Sequence, residues 1–222
     1  MAAAVHPPTG SAKRTRDAAR TQAEILDVAT EVFARQGYAG ARVDEIADRT
    51  RTTKRMLYYY FGSKEQLFTA VLERAYAVIR RQEQELDVEH LDPVSAIRRL
   101  AELTFDHHEA HPDFIRLVSI ENIHEAVHIA ASESLSSLNS PAIEVIGRIL
   151  EEGRAQGVFT ADVDAVDLHA VISSFCFFRV ANRHTFHTIF GRDLTAPDRR
   201  DHYRAMLGDL VLSYLTGDGN RS

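Results

Sequence analysis

Basic side chains and tyrosines are concentrated in one short stretch of the sequence. From Arg49 to Lys64 the chain contains five basic residues and no acidic one, and the same stretch holds three consecutive tyrosines, Tyr58–Tyr60. Guanidinium, ammonium and phenol groups donate hydrogen bonds to phosphate oxygens, and arginine also pairs with base edges. The chemistry that this composition favours is recognition of a polyanion.

The distribution of charge along the chain supports this interpretation. Residues 1–64 contain 11 Lys and Arg against 7 Asp and Glu, whereas the remaining residues contain 15 against 25. A run of charge is usually an ordinary solvated face. Here the clustered tyrosines, and a pattern of helix, break and helix around them, favour nucleic acid as the partner.

Two short helices are predicted to present these side chains. Val43, Ile46 and Ala47 form an apolar stripe at helical spacing, which gives the first of them a face to bury. A polar break follows, and the second helix runs through the tyrosines. The two apolar faces can then close on each other and leave the basic residues outside.

The orientation of the second helix follows from a rotation of about 100° per residue. If Leu57 and Phe61 mark its buried face, Arg55 and Tyr59 point in nearly the opposite direction, and the tyrosines on either side of Tyr59 flank them. The outward face is therefore predicted to combine a cation with an aromatic ring.

Helical periodicity recurs along the whole chain, and no segment shows the alternation typical of strands. We expect an all-α protein of about nine helices. Three regions are predicted: a disordered basic arm at residues 1–19, a three-helix DNA-binding domain at 20–66, and a larger helical domain at 67–222. The charged segment at residues 80–89 is expected to be a solvated helix end.

The sequence also predicts a cytoplasmic location. No stretch approaches the roughly 20 apolar residues of a membrane span. The start of the chain has its apolar piece interrupted by Pro7 and Pro8 and followed by basic residues, an order that is not typical of a signal peptide. Cys176 is the single cysteine, so no disulfide can form within the chain.

Three segments carry the pattern of a known family. They are the AxxxFxxxGY spacing from Ala29 to Tyr38, VDEIA at 43–47, and TTKRMLYYYFGSKEQLF at 52–68. In these segments, about a quarter of the chain, the sequence resembles the tetracycline-repressor (TetR) family of bacterial transcriptional regulators. The resemblance implies an N-terminal helix-turn-helix domain and a larger C-terminal helical domain for ligand binding and dimerisation.

Carried onto matching positions, the resemblance implies a set of DNA-binding residues. Thr53 would cap the recognition helix, and Lys64 would contact a phosphate at the start of the next helix. The full set is Arg42, Thr53, Lys54, Arg55, Tyr58, Tyr59, Tyr60 and Lys64.

Two positions depart from the family pattern. Arg42 stands where a helix-capping Ser or Thr is usual, and it could hold a phosphate instead. Arg51 stands where the turn usually has Gly, so it is expected to adopt an uncommon backbone region.

The resemblance further implies the partners of the protein. It would bind a palindromic operator in double-stranded DNA as a homodimer, formed through the last two helices at about 165–188 and 197–215. A small-molecule effector bound in the larger domain would change the spacing of the two DNA-binding heads and release a repressor from its operator.

Residues that could line an effector pocket occur from Phe105 onward and again in the apolar helix predicted at about 165–188. A few polar groups converging within an apolar helical face are typical of a binding site, although aromatic residues at this spacing are also typical of an ordinary core. The candidates are Phe105, His108, Phe114, Leu117, Val118, Glu121, Asn122, His128, Phe175, Phe178 and Asn182.

Histidines at helical spacing raise the question of a metal site. Glu121, His124 and His128 would place three potential ligands on one helix, and His107 and His111 share the same spacing. With 11 histidines in the chain such spacings arise easily, and no further ligands are visible. We therefore expect neither a metal nor a cofactor.

Two other classes of protein are alternatives. An enzyme could have an unrecognised site in the C-terminal helical domain, but the sequence has no nucleophile elbow, phosphate-binding glycine loop or metalloprotease helix. Ser173 and Ser174 beside His169 form no recognisable catalytic set. The second alternative is a DNA-binding protein that responds to no ligand. A regulator that is not an enzyme is the expected function.

Overall fold

The computed structural model describes residues 9–86, 88, 90–138 and 140–217. Within these residues the chain forms twelve α-helices, a 3-10 turn at Pro197–Arg199 and no β-strand, so the predicted all-α class is confirmed. The helices are α1 (Thr9–Gly40), α2 (Val43–Arg49), α3 (Lys54–Phe61), α4 (Lys64–Gln84), α5 (Pro93–Ala110), α6 (Pro112–Ile123), α7 (Val127–Ala130), α8 (Glu133–Leu138), α9 (Ser140–Ala155), α10 (Ala165–Ala181), α11 (Arg183–Phe190) and α12 (Arg200–Thr216).

The predicted number of helices, about nine, is too low for two reasons. The short helices α7 and α8 occupy a segment for which no helix was expected, and backbone φ values of 57° at Glu125 and 58° at Ala126 separate α6 from α7. The long apolar helix predicted at 165–188 is divided into α10 and α11, because the backbone of Asn182 leaves the helical region with φ −98° and ψ 6°.

Residues 9–19 of the predicted arm lie within α1. Residues 1–8 of that arm lie outside the described part of the chain. Local contacts between charged side chains favour the helix, since Arg20 lies 3.7 Å from Asp17 and 3.9 Å from Glu24, at spacings of three and four residues. The hydroxyl of Thr21 also donates to the carbonyl of Asp17.

The chain divides into two compact units, Met1–Val71 and Leu72–Ser222. Both this division and the predicted domain boundary after residue 66 fall within α4. In the first unit, the ring of Phe33 packs edge-on against Phe68 at 4.9 Å between centroids. Ile46 of α2 and Leu57 of α3 are almost fully buried. The helix-turn-helix elements α2 and α3 thus rest on an apolar core.

In the second unit, α5 is the central helix and packs against α9, α10 and α12. It begins as predicted: the carboxylate of Asp92 accepts the amide of Ser95 at 3.0 Å, and Pro93 occupies the first helical position. The core includes Cys176, which has no exposed surface. Burial raises the pKa of this thiol to about 12, which leaves it protonated and unreactive.

The charged segment at residues 80–89 is solvated only in part: Arg81 and Glu85 are exposed as expected, but two other charged residues are buried. Arg80 and Glu83 are only 8% and 4% exposed, and their side chains form an ion pair at 2.6 Å. Opposite charges three residues apart on a helix can be buried together because each compensates the other.

No helix in the described residues combines the length and apolar character needed to cross a membrane.

Candidate nucleic-acid interface and internal cavity

The start and end of α3 are fixed by local interactions. The hydroxyl of Thr53 accepts the amide of Met56 at 3.2 Å, which is the cap expected from the sequence. Gly62 ends the helix with φ 75°, a value that a residue with a side chain rarely adopts. These two residues set the length and rotation of the helix.

The outward face of α3 has the predicted orientation. Leu57 is 1% exposed, whereas Tyr59, two residues further, is 77% exposed and Arg55 is also exposed. The rings of Tyr59 and Tyr60 meet edge to face at 5.4 Å between centroids. A large aromatic surface therefore faces solvent beside a guanidinium, an arrangement that a purely structural role does not require.

The basic side chains near α3 differ in their electrostatic partners. Lys54 lies 3.2 Å from Asp44, and Arg49 pairs with Glu31. Within the part of the chain that the structure describes, no carboxylate pairs with Arg42, Arg51 or Arg55. These three arginines remain available for an external anion.

Lys64 is held at the start of α4 by contacts within the first unit. Its ammonium lies 4.8 Å from the centre of the Tyr38 ring and donates to the carbonyl of Ala39 at 3.5 Å. Partial burial lowers the pKa of Lys64. The position of this cation is thus fixed by its neighbours.

The turn between α2 and α3 contains a strained residue, as predicted. Arg51 has φ 51°, and its amide donates to the carbonyl of Asp48 at 3.3 Å. A left-handed conformation costs an ordinary residue about 1 kcal/mol, and glycine avoids this cost. Both departures from the family pattern are visible in the structure. Arg51 has a positive φ, and Arg42 provides no side-chain cap to α2.

The second unit contains a cavity of about 670 Å³. We refer to it as the α4–α10 cavity, and it has both apolar and polar walls. Its lining residues are Tyr76, Ile79, Arg80, Glu83, Thr104, His108, Phe114, Val118, Asn122, Ile143, Val166, His169, Ala170, Ser173, Ser174 and Phe177. This volume falls in the range of small-molecule sites.

Burial controls the charge of the titratable groups in the cavity wall. Burial, together with the charge of Arg80 and neighbouring imidazoles, lowers the pKa of His108 to about 4, and burial and Arg80 lower that of His169. Both imidazoles are therefore neutral at pH 7. Burial raises the pKa of Glu83, although Arg80 at 2.6 Å opposes this change.

Comparison with known proteins gives the family of the chain. Residues 25–71 match the family model for bacterial regulatory proteins of the tetR family, and residues 93–211 match the tetracyclin repressor-like C-terminal domain. The chain belongs to the TetR family. It is accordingly a helix-turn-helix transcriptional regulator.

Individual relatives agree with this assignment. The TetR-family chain is 35% identical over 202 residues to the HTH-type transcriptional repressor NicS of Pseudomonas putida, covering 91% of this chain and 95% of NicS. It superposes on the crystal structure of SCO4942 from Streptomyces coelicolor with a TM-score of 0.65 and 28% identity, over 86% of this chain and 97% of the other.

A more distant structure shares the fold alone. The transcriptional regulator FadR of Bacillus subtilis, crystallised with stearoyl-CoA, has a TM-score of 0.67 and 17% identity over 86% of this chain and 98% of FadR. NicS and FadR are both named as transcriptional regulators, not enzymes.

Four of the eleven residues predicted to bind an effector line the α4–α10 cavity, namely His108, Phe114, Val118 and Asn122. Phe105 and Leu117 do not line it, since both are fully buried in the packing between helices. The guanidinium of Arg179 lies 3.9 Å from the centre of the Phe105 ring and covers that face. These two residues have the alternative role that the sequence left open, that of core residues.

Glu121 and His128 also lie outside the cavity lining, and they bind each other. The imidazole Nδ1 of His128 lies 2.8 Å from one carboxylate oxygen of Glu121, and the other oxygen accepts the amides of His128 and Ile129 at 2.8 and 2.9 Å. The expectation that they share one helix with His124 is wrong, because α6 ends at Ile123. Among the described residues, no group of three potential ligands could hold a metal ion.

The three remaining candidates are also absent from the cavity lining. Phe175 packs against the core, Phe178 is 48% exposed, and Asn182 ends α10. The same helix contributes other residues to the cavity, including His169, Ser173 and Phe177. The sequence identified the correct helix but not the face that borders the cavity.

Sequence reasoning missed the contribution of α4 to this cavity. Tyr76, Ile79, Arg80 and Glu83 all line it. An available signal was the opposite charge of Arg80 and Glu83, three residues apart and directly after an apolar stripe. On α10, the pairing of His169 with Ser173 at 3.0 Å was a second signal, since two polar residues one turn apart interrupt an apolar helix.

Proposed function

We propose that this TetR-family regulator is a repressor that binds a palindromic operator as a homodimer and leaves it when a small molecule binds the second unit. The observation that carries the proposal is the outward face of α3, where Tyr59 is 77% exposed beside an exposed Arg55 that pairs with no carboxylate in the described residues. Such a face suits a major groove lined by phosphates and base edges.

Each part of this face has a distinct role in the proposal. Arg55 and Tyr59 read base edges, while Lys64 and Arg42 hold phosphates on either side and fix the register. The complete proposed interface is Arg42, Thr53, Lys54, Arg55, Tyr58, Tyr59, Tyr60 and Lys64. Because the partner is chromosomal DNA, we propose that the protein acts in the cytoplasm.

Exposed apolar side chains support a homodimer through the last long helices. Phe178 on α10 is 48% exposed, and Leu210 and Tyr214 on α12 are 54% and 52% exposed. The intervening α11 adds Ile189 and Phe190, at 70% and 66%. Apolar surface of this extent favours association, and two-fold symmetry would present two α3 helices to the two halves of a palindrome.

The α4–α10 cavity is the proposed effector site. Its volume of about 670 Å³ suits a small molecule, and its walls combine apolar and polar side chains. An effector that binds more tightly to the DNA-free form shifts the population away from the operator.

Selection of bound sequences from a random pool of double-stranded DNA tests the proposal directly. We expect a palindrome whose half-sites are separated by a spacing compatible with one helical turn or a multiple of it. Sedimentation of the purified chain with the recovered site should give two protomers for each palindrome. Recovery of no enriched sequence would favour an architectural DNA-binding protein and would overturn the proposed regulation.

A further inference from the structure

We propose that the effector is an uncharged molecule with an aromatic body and at least one N–H or O–H group. This inference rests on the proposed function, which places the effector in the α4–α10 cavity. It adds the chemical class of the ligand, derived from the charge and hydrogen bonds of the cavity wall.

The charged groups of the cavity wall offset one another. Arg80 and Glu83 form an ion pair at 2.6 Å in the cavity lining and offset each other's charge, while the two lining histidines are uncharged at pH 7. An anionic ligand would compete with Glu83 for the guanidinium, and a cationic ligand would face repulsion from Arg80. Since an uncompensated charge in a buried site is costly, the neutral wall favours a neutral ligand.

His108 offers a hydrogen-bond acceptor to a ligand. The Nδ1 of His108 lies 2.8 Å from the carbonyl of Thr104, which can only accept, so Nδ1 carries the proton. In the neutral ring, Nε2 is then an acceptor. A ligand must supply a proton to use it.

Other polar side chains of the wall direct hydrogens back to their own helices in the same way. The hydroxyl of Thr104 donates to the carbonyl of Leu100, and the hydroxyl of Ser174 donates to the carbonyl of Val171. The side-chain amide of Asn122 donates one of its two hydrogens to the carbonyl of Val118. Their oxygens keep lone pairs. Together with Nε2 of His108, these oxygens are acceptors that a ligand with an N–H or O–H group can use.

The apolar part of the wall is largely aromatic. The ring of Phe114 lies edge-on to Tyr76 at 5.2 Å and to His108 at 5.7 Å between centroids, and Phe177 also borders the cavity. Rings in edge-to-face arrangement present both ring faces and ring edges. A flat aromatic body can pack against both.

Three naphthalenes that differ only in one substituent test this class. 2-Naphthol donates a hydrogen bond and is uncharged at neutral pH, 2-methoxynaphthalene only accepts, and 2-naphthoate is anionic. We expect equilibrium dialysis against the full chain to show 2-naphthol binding about tenfold more tightly than either of the others, the usual value of one buried hydrogen bond. Because the chain has no tryptophan, naphthol fluorescence provides a second readout.

A pair of variants locates the acceptor. His108→Phe should reduce the affinity for 2-naphthol to that for 2-methoxynaphthalene, while the latter affinity stays nearly constant. His111→Phe is the matched control. The Nδ1 of His111 also lies within hydrogen-bond distance of the carbonyl of His107, four residues earlier, but His111 does not line this cavity. It should leave the preference unchanged.

Stronger binding of 2-naphthoate, equal binding of all three compounds, or binding of none would overturn the proposed ligand class. These outcomes do not touch the proposed function, since operator selection is measured without any ligand. Conversely, failure to select DNA would remove the regulatory role whatever the naphthalenes do.

Discussion

The outward face of α3 and the α4–α10 cavity use polar groups in opposite ways. On α3, Arg55 and Tyr59 are exposed and extend toward solvent. In the cavity wall, His108 is 7% exposed, bound to its own helix and neutral. In the proposed function, the first surface attracts a polyanion over a distance, whereas the second discriminates between ligands by short hydrogen bonds. We therefore propose that one chain combines an electrostatic site with a site that excludes net charge.

Acid should weaken the second unit most, because its histidines are held neutral. Burial lowers the pKa of His107 to about 3 and that of His108 to about 4, below their ordinary value of 6.5. Their contribution to stability is complete above pH 6.5 and is lost as the pH falls toward the folded-state pKa values. We expect the free energy of unfolding to fall by about 2–4 kcal/mol between pH 7 and pH 5, measured by urea titration.

The variant His108→Phe sharpens that prediction. It removes one of the three imidazoles whose pKa burial lowers, the others being His107 and His169, so the free energy of unfolding should fall less steeply between pH 7 and pH 5 than in the parent chain. A slope equal to that of the parent chain would show that His108 does not titrate as its burial requires.

The outward face of α3 should govern sequence-specific binding. Arg55→Ala or Tyr59→Ala should reduce operator affinity by about 10- to 100-fold and leave the fold intact, because each removes a proposed base contact. Arg148→Ala, which removes an exposed arginine from α9, is the control. Unchanged operator affinity in both α3 variants would refute the assignment of this face.

Lys64 should act differently from Arg55, since it is proposed to hold a phosphate. Lys64→Ala should weaken binding to operator and random DNA by similar factors and reduce the salt dependence by about one unit of log–log slope. The measurement is affinity at several salt concentrations for both DNAs. A loss confined to the operator would mean that Lys64 reads a base.

The smallest effect concerns Arg51, where charge and backbone strain can be separated. Arg51→Gly and Arg51→Ala both remove the guanidinium, but only glycine accepts φ 51° without strain. The Gly variant should be more stable than the Ala variant by about 1 kcal/mol in urea titration, while the two bind DNA equally. Equal stability of the two variants would show that the turn relaxes.

The sequence predicted the local geometry of α3 well because that geometry is built from local rules. The cap of Thr53, the burial of Leu57 and the exposure of Tyr59 follow from helix geometry and neighbours within one turn. The unusual backbone of Arg51 followed from one residue type in a turn. None of these features depends on how distant helices pack.

The cavity was predicted poorly because its walls come from helices far apart in sequence. Phe105 and His108 are neighbours on α5, yet one is core and the other lines the cavity, and only the packing of α10 and α4 decides between them. Arg80 and Glu83 appeared to be a solvated pair because periodicity cannot reveal a partner helix. Pairing lets both charges be buried, against the usual preference of such residues for the surface.

The buried carboxylate of Glu121 has a further consequence for the corner between α6 and α7. It accepts the amides of both His128 and Ile129, the second and third residues of a helix only four residues long. Helices of this length ordinarily open and close rapidly, and their amide protons are replaced by solvent deuterium at once. Here two of these amides donate to a single side chain, so the deuterium uptake of His128 and Ile129 would report the lifetime of the Glu121 contact.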